Sequence, residues 1–529
     1  MTPATPESAG GGRSRGDGAW PRAGAWALFL LLAVVPVGGP LAELALRLLS
    51  GGALPHLGSW TLTWHSITLA ATAALLALTQ GLGLALWFAG GFGLWRRILR
   101  KVYLLPLLLP PYFYALGWMA LFARGGWASS LFTHLAGTSP TPYGFWGSAL
   151  VLGQAFAPLV AWMTLGALQG LEAGPVEAAC VLRGPNEAWF RAVLPAVAPS
   201  ALAGASLAFA FGLVEYGVPS LLQFNVYSME IYADFSQSGD AASAAGLALP
   251  VLLPAIALAA AVGAFGRLLP SRSVAEGARA RLEAVSLPRP LGVLAWGSAI
   301  SSSLGLLLPF GLLAANLFKD PPPSMAQGWG PLAFSLALAA AAGLSAALLA
   351  LPLAWTAEGR TGHILEVACL AALAVPAPLF GIGAALLANR SGLASGAPAL
   401  AFPWLAHVGR FLPLSVLVVA SHLRFMDPLL RDGVRLATAP PATKAFRLVL
   451  PLALPGLMVA AGFTAALSLG EIGATLLVCP PGYQTVALRL YNLLHYGADA
   501  SAAALALATA AAAGVLAAGI WTMVRWRWA

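Results

Sequence analysis

The sequence predicts an all-α polytopic membrane protein of about twelve transmembrane helices in two tandem six-helix halves, and three observations carry that expectation. Of 529 residues, 59% are hydrophobic and only 9% are charged, whereas an ordinary soluble protein carries about 25% charged residues. Apolar windows long enough to span hydrocarbon, which takes roughly 20 residues per helix, recur at 24–49, 61–90, 99–123, 146–170, 193–216, 243–269, 291–317, 330–356, 363–388, 402–423, 451–478 and 498–523. Six of them precede the basic stretch from Arg267 to Arg289 and six follow it. Finally, two segments repeat each other about 256 residues apart, at the same place in each half. The Ala/Leu/Gly runs lack the alternating strands, about ten residues each, of a transmembrane barrel.

These windows divide the chain into a basic, Gly-rich leader over 1–23, expected to be disordered and cytoplasmic, a first transmembrane domain at 24–269, a cytoplasmic linker at 270–290 and a second transmembrane domain at 291–529. A cleaved signal peptide fits the start poorly, because the first apolar stretch is long for an h-region and no clean small-residue cleavage site follows it. The net charge of +9 is not gathered on one soluble face, as nucleic-acid binding would want. It follows alternate loops: Arg96, Arg97, Arg100, Lys101, Arg183, Arg191, Arg435, Lys444 and Arg447 fall on one side, while Arg124, Lys319, Arg390 and Arg489 fall on the other, with Arg47 and Arg410 near outer helix ends. That bias is the positive-inside signature and puts both termini in the cytoplasm. Cys180, Cys369 and Cys479 show no pairing or metal spacing, and neither do the seven histidines.

The repeat sets "EAACVLRGPNEAWFRAVLPAVAP", Glu177 to Pro199, against "DGVRLATAPPATKAFRLVLPLALP", Asp432 to Pro455. Phe190 matches Phe446, Leu194-Pro195 matches Leu450-Pro451, Glu215 matches Glu471 and Gly217 matches Gly473, all at one offset. Both halves kept the same polar landmarks, the mark of a tandem duplication. The loop from Glu172 to Arg191 carries Gly174-Pro175 and Gly184-Pro185, which predict a short surface helix, a bend and a second short helix bearing Trp189 and Phe190. A cytoplasmic element that projects one carboxylate and a few apolar side chains reads as a docking knob for another protein.

Glu-Ala-Ala, a Gly some seven residues on, a Phe and then Leu-Pro together resemble the EAA loop of permease subunits of binding-protein-dependent ABC importers. The resemblance implies that Glu177, Ala178, Ala179, Gly184 and Phe190 form one site of coupling to a cytoplasmic ATPase, with Asp432, Gly433 and Phe446 forming the second. Gly184 lies one residue later than usual, and the second copy is degenerate, with Asp432-Gly433-Val434 for Glu-Ala-Ala and Thr438 for the Gly. "LPLLLPPYFYALGW", "VEYGVPSLL" and "PPGYQTVALRLYNLLHYG" are similar to segments of fused permeases of the ferric-iron branch. That likeness implies a type I importer fold, two ATPase copies, an extracytoplasmic binding protein, a bacterial inner membrane and no cofactor. Ferric iron is the substrate it implies first, with thiamine, phosphonates such as 2-aminoethylphosphonate, and polyamines as alternatives. Beyond an insertion of three residues, Tyr232 pairs with Tyr491 and Asp240 with Asp499 at a second common offset.

Ionisable groups at membrane depth are costly and face a cavity or a partner. Glu215, followed by Tyr216 and Gly217, and Glu471, followed by Ile472 and Gly473, each end an apolar span. Either they line a gate or transient cation site in one central pathway, or they accept hydrogen bonds from neighbouring helix ends and hold that gate together. Tyr112, Tyr114, Trp118, Trp127, Tyr143 and Trp146 read as an interfacial belt, and Glu230, Asp234 and Asp240 as solvated charge on the third outer loop. No Gly-rich Lys-Ser/Thr phosphate loop occurs, so the chain is not expected to be an enzyme, and its energy comes from a partner ATPase or from an ion gradient. An ion-coupled secondary transporter with two parallel repeats is the rival reading.

Overall fold

The computed structural model describes residues 35–51, 58–90, 94–103, 109–122, 127–138, 140–268, 286–319, 326–356, 359–424, 426–495 and 499–528. The expected leader, the opening of the first span and most of the expected linker lie outside them. Every regular element among the described residues is helical. The first half holds α1 (Val35–Leu49), α2 (Trp60–Ala89), α3 (Leu94–Val102), α4 (Pro111–Phe122), α5 (Trp127–Ala136), α6 (Phe145–Gln169), α7 (Ala173–Ala188), α8 (Leu194–Leu213), α9 (Gly217–Leu221), α10 (Tyr227–Ser238) and α11 (Ala241–Leu268). The second holds α12 (Arg289–Lys319), α13 (Ala326–Thr356), α14 (Gly359–Leu373), α15 (Ala377–Ser391), α16 (Ala401–Arg424), α17 (Pro428–Leu436), α18 (Pro441–Lys444), α19 (Leu450–Leu469), α20 (Thr475–Val478), α21 (Val486–His495) and α22 (Asp499–Trp528).

Among the described residues, eight helices are long and apolar enough to cross a membrane, and nine if the bent pair Thr361–Leu373 and Ala377–Ser391 counts as one span. The difference from twelve windows has local causes. The window at 363–388 is not one straight span: its two helices meet at 89°, where Pro376 supplies no N–H and stands at the start of α15 with an extended ψ of 134°. The window at 99–123 is likewise split, since α3 stops at Val102 and α4 starts only at Pro111, after Pro110. In the last window the described apolar stretch, Ala500–Leu516, is shorter than a span.

Each half is built on a three-helix core, α2, α6 and α8 in the first and α13, α16 and α19 in the second. Lipid tails offer no hydrophobic drive between helices, so close backbone approach at small residues has to hold them together. Gly81 shows how close: a Cβ there would stand 2.6 Å from the Val160 Cβ on α6. The halves also exchange their first helices. α1 packs on α15 of the other half, and α12 packs on α4 and α2.

The duplication reaches single hydrogen bonds. The first N–H of α10, at Tyr227, donates to Ser66 Oγ on α2 at 3.0 Å, and the first N–H of α21, at Val486, donates to Ser335 Oγ on α13 at 2.7 Å. Both serines are buried, and each satisfies a helix-start donor that has no partner within its own helix. Removing either oxygen strands a buried N–H, so Ser66→Ala and Ser335→Ala should each cost about 1–3 kcal/mol, read as similar drops in the thermal unfolding midpoint of the purified chain.

At the start of α11, Asp240 Oδ1 accepts from the N–H groups of Ala242 and Ser243 at 3.0 and 3.2 Å, while Oδ2 accepts from Arg47 Nη2 at 2.5 Å. Burial pushes this carboxyl upward, but the Arg47 bond and the two backbone bonds together outweigh it and the net shift is downward. A carboxyl held below its unfolded value stabilises the fold fully above the ordinary carboxylate range and loses that contribution as pH falls through the folded value. Asp240→Asn should therefore shrink the fall in thermal stability between neutral and strongly acidic pH, as measured by melting across a pH series.

Candidate functional site

In both halves the loop that reads as a docking knob runs into the membrane through the same sequence of elements. A π-helical turn, Trp189–Val193 or Ala445–Val449, leads into a 20-residue helix, α8 or α19, which at 1.5 Å per residue carries the chain about 30 Å. Each helix then stops, and a glutamate follows. Glu215 thus lies just past the end of its span rather than within the helix. Its Oε1 accepts from the N–H groups of Gly217 and Val218 at 3.1 and 3.4 Å, and Glu471 Oε1 accepts from the Ala474 N–H at 2.8 Å. The carboxylates do for these breaks what a helix would have done for itself. Tyr216, Gly217, Ile472 and Gly473 are buried beside them. Tyr232 and Tyr491, paired by sequence offset, both flank the Tyr216 ring, at centroid distances of 5.6 and 6.4 Å.

Glu215 and Glu471 line one cavity of about 200 Å³ that both halves enclose. Pro110, Phe156 and Phe211 come from the first half, and Phe411, Leu414, Phe463 and Gly470 from the second. At Gly470 a Cβ would stand 2.3 Å from the Pro110 Cγ, so only glycine admits this contact. The wall holds one further charge, Arg410 on α16, whose Nη1 lies 2.9 Å from Glu471 Oε2. Its side chain is 16% exposed and that of Glu471 only 4%. Sequence alone placed Arg410 near an outer helix end; packing turns it into the cavity instead. A signal was present, because the same 256-residue offset sets Arg410 opposite Gln154, which is polar, buried and bonded to Trp118 Nε1 and to the Ser301 carbonyl, each at 3.2 Å.

His407, one turn before Arg410, also lacked any sequence signal. It is fully buried, with Nδ1 2.6 Å from Ser468 Oγ and Nε2 3.0 Å from Thr475 Oγ1. Thr475 spends its one hydroxyl hydrogen on the Glu471 carbonyl at 2.7 Å. Nε2 must therefore carry the ring proton and Nδ1 accept from Ser468. The imidazole ties α16 to both sides of the break after α19, fixing Glu471 against Arg410.

The knobs themselves are exposed. Glu177 and Ala178 face solvent and Ala179 is half-buried. Gly184 has a φ of 83° that bends the helix where the sequence placed a bend. Beyond Glu177, Val181 and Leu182 are 85% and 80% exposed, while Phe190 is half-covered and Trp189 buried. In the second loop Asp432 and Gly433 are exposed, as are Leu429, Leu436 and Phe446, and Asp432 Oδ1 lies 3.5 Å from Arg435 Nη1. The sequence-selected residues thus gather into two separate places: Glu177, Ala178, Ala179, Gly184, Phe190, Asp432, Gly433 and Phe446 on the loops, and the two Glu segments at the cavity.

No family model matches the chain. The molybdenum transport system permease protein ModB of Mycobacterium tuberculosis is 32% identical over 204 residues, which cover 36% of this chain and 75% of that protein. The putative 2-aminoethylphosphonate transport system permease protein PhnV of Salmonella typhimurium is 27% identical over 224 residues, covering 41% of this chain and 80% of that protein. Each match takes up most of the relative but less than half of this chain.

Breaking a buried ion pair by deleting one partner costs about 3–5 kcal/mol, because the other charge is left uncompensated. Glu471 is the more buried partner, so Arg410→Gln should destabilise the chain by about that much, and Arg410→Gln with Glu471→Gln by clearly less. A double-mutant cycle on unfolding midpoints measures the difference.

Proposed function

Since this chain belongs to the permeases of ABC importers, multi-pass proteins of the inner membrane, we propose that it supplies both membrane halves of one importer, with a copy of the partner ATPase on each of its two exposed loops. A solute-binding protein delivers a small solute to the opposite face. The observation that carries this reading is the repeated unit of exposed knob, π turn, unbroken 20-residue helix and cavity glutamate. A displacement of the knob is carried along a helix about 30 Å long to the carboxylate that holds the break, so two ATPase copies closing together move Glu215 and Glu471 together. This arrangement puts both termini on the ATPase side and makes the membrane units 24–269 and 291–529 cooperate through their exchanged first helices. A partner ATPase, rather than an ion gradient, is the energy source that family membership supports.

Within that reading the solute is a small molecule bearing an oxyanion, and a phosphonate is favoured over ferric iron. Two features support the choice. The relatives are permeases for molybdenum and, putatively, 2-aminoethylphosphonate, and the cavity presents a guanidinium, whose N–H fork suits an oxyanion. Purifying the tagged chain from native membranes in mild detergent, identifying its partners by mass spectrometry and assaying the ligand of the recovered binding protein tests the whole reading. An ATPase and a phosphonate-loaded binding protein are expected; a chain that crosslinks to no ATPase sinks it.

The two knobs are chemically unequal. Glu177 has exposed Val181 and Leu182 beyond it, whereas Asp432 stands near Arg435 on a shorter helix. Glu177→Lys should uncouple ATP hydrolysis from uptake in proteoliposomes more severely than Asp432→Lys, and equal losses would contradict the assignment.

A further inference from the structure

Arg410 is under-used as a donor. A guanidinium carries five N–H bonds, yet its one ionic contact among the described residues, to Glu471, lies off the line of those bonds, so the buried Nη1 has no hydrogen-bond acceptor. Its other neighbour is the Phe411 ring, 5.4 Å from the guanidinium carbon. Leaving a buried charged donor without an acceptor is costly, and although Nη1 itself is enclosed, the guanidinium as a whole borders the cavity, its side chain 16% exposed. Glu215 faces the same space differently. Its Oε1 is taken up by the two backbone N–H groups, while Oε2 has no hydrogen-bond partner among the described residues. Glu471, by contrast, has both oxygens engaged, one by Ala474 and one by Arg410.

The cavity therefore offers one cationic fork and one carboxylate oxygen, set in a wall otherwise made of Pro110, Phe156, Phe211, Phe411 and Leu414. We propose that this cavity is a binding site for a small zwitterion, whose oxyanion takes the free N–H groups of Arg410 and whose ammonium group takes the free oxygen of Glu215. The site deepens the oxyanion reading given above and rests on it. A plain oxyanion meets Arg410 but is repelled by Glu215, and a plain amine meets the reverse, so only a ligand with both charges satisfies the two groups at once. A volume of about 200 Å³ admits a molecule of a few heavy atoms between its charges. The site is also asymmetric: the first-half counterpart of Arg410 is the neutral Gln154, so the cavity binds one ligand in one orientation rather than two related by the pseudo-twofold.

Equilibrium binding of radiolabelled 2-aminoethylphosphonate to the full chain in lipid nanodiscs tests the site, with ethylphosphonate and molybdate as competitors. The zwitterion should displace label at a concentration roughly tenfold or more below that of ethylphosphonate, the worth of one charged hydrogen bond. Glu215→Gln should erase that advantage, weakening the zwitterion while ethylphosphonate, relieved of the carboxylate's repulsion, binds no worse, and Arg410→Gln should abolish both. Leu414→Phe narrows the cavity without touching the ion pair and should weaken all probes, so misfolding of the arginine variant does not decide the outcome. Equal competition by ethylphosphonate or molybdate, or a zwitterion preference that survives Glu215→Gln, overturns the proposal in favour of a plain oxyanion site, and absence of saturable binding overturns it altogether. Either result leaves the importer reading standing if the ATPase still copurifies, and loss of that partner refutes the importer reading on its own.

Discussion

Two helices that stop inside the membrane region have to satisfy the backbone they expose, and the rest of the site follows from how they do it. No water is at hand in hydrocarbon to take up free N–H groups, so irregular backbone survives there only where protein supplies acceptors. In both halves that acceptor is the side chain of the residue just after the helix. Glu215 and Glu471 fold forward onto N–H groups two or three residues on, which turns an ionisable residue into a structural part of the break. A carboxylate so used cannot be surrounded by lipid. It brings a cavity with it, and in the second half it also brings a counter-ion.

The counter-ion is where the duplicated halves part. Gln154 and Arg410 occupy equivalent positions, but Gln154 is consumed by Trp118 and the Ser301 carbonyl, whereas Arg410 is held at one edge by Glu471 and open elsewhere. The same divergence recurs at the other end of these helices. In the second half Arg424 pairs with Glu366, with the His363 ring 3.9 Å from that carboxylate. In the first, a link near the same end joins Arg100 to the Gln169 amide, which with its oxygen turned inward lies 2.9 Å from the guanidinium. One architecture, copied twice, thus keeps its hydrogen-bonded joints, such as the Ser66 and Ser335 caps, and spends its sequence freedom on charge. Solutes are asymmetric, and a symmetric scaffold recognises them by breaking its own symmetry at a few side chains.

His407 shows how that charge is kept in place. Bonded on one ring nitrogen to Ser468 and on the other to Thr475, it clamps the helix that carries Arg410 to the segment that carries Glu471. Both ring nitrogens of His407 and Oε1 of each glutamate are taken by protein partners, whereas among the described residues Oε2 of Glu215 has none and Arg410 borders the cavity. That contrast separates groups that build the wall from groups left available to a ligand.

What the sequence determined by itself is whatever composition and periodicity force. The apolar windows of 61–90, 146–170, 330–356 and 402–423 become α2, α6, α13 and α16, because an apolar run of that length has no other stable form in a bilayer. The repeat foretold two matching loops and two matching glutamates and, at a second offset, paired Tyr232 with Tyr491, since duplicated sequence folds by the same local rules; packing then set that pair around Tyr216. Proline marked the breaks near 110 and 376, although a hydropathy window passes over them. Only the tertiary structure decided that α1 and α12 cross to the opposite half, that Gly470 receives Pro110, and that Arg410 and His407 point inward. Those outcomes depend on which faces of helices far apart in sequence come together, and a helix that is apolar all round carries no amphipathic stripe to announce its buried side.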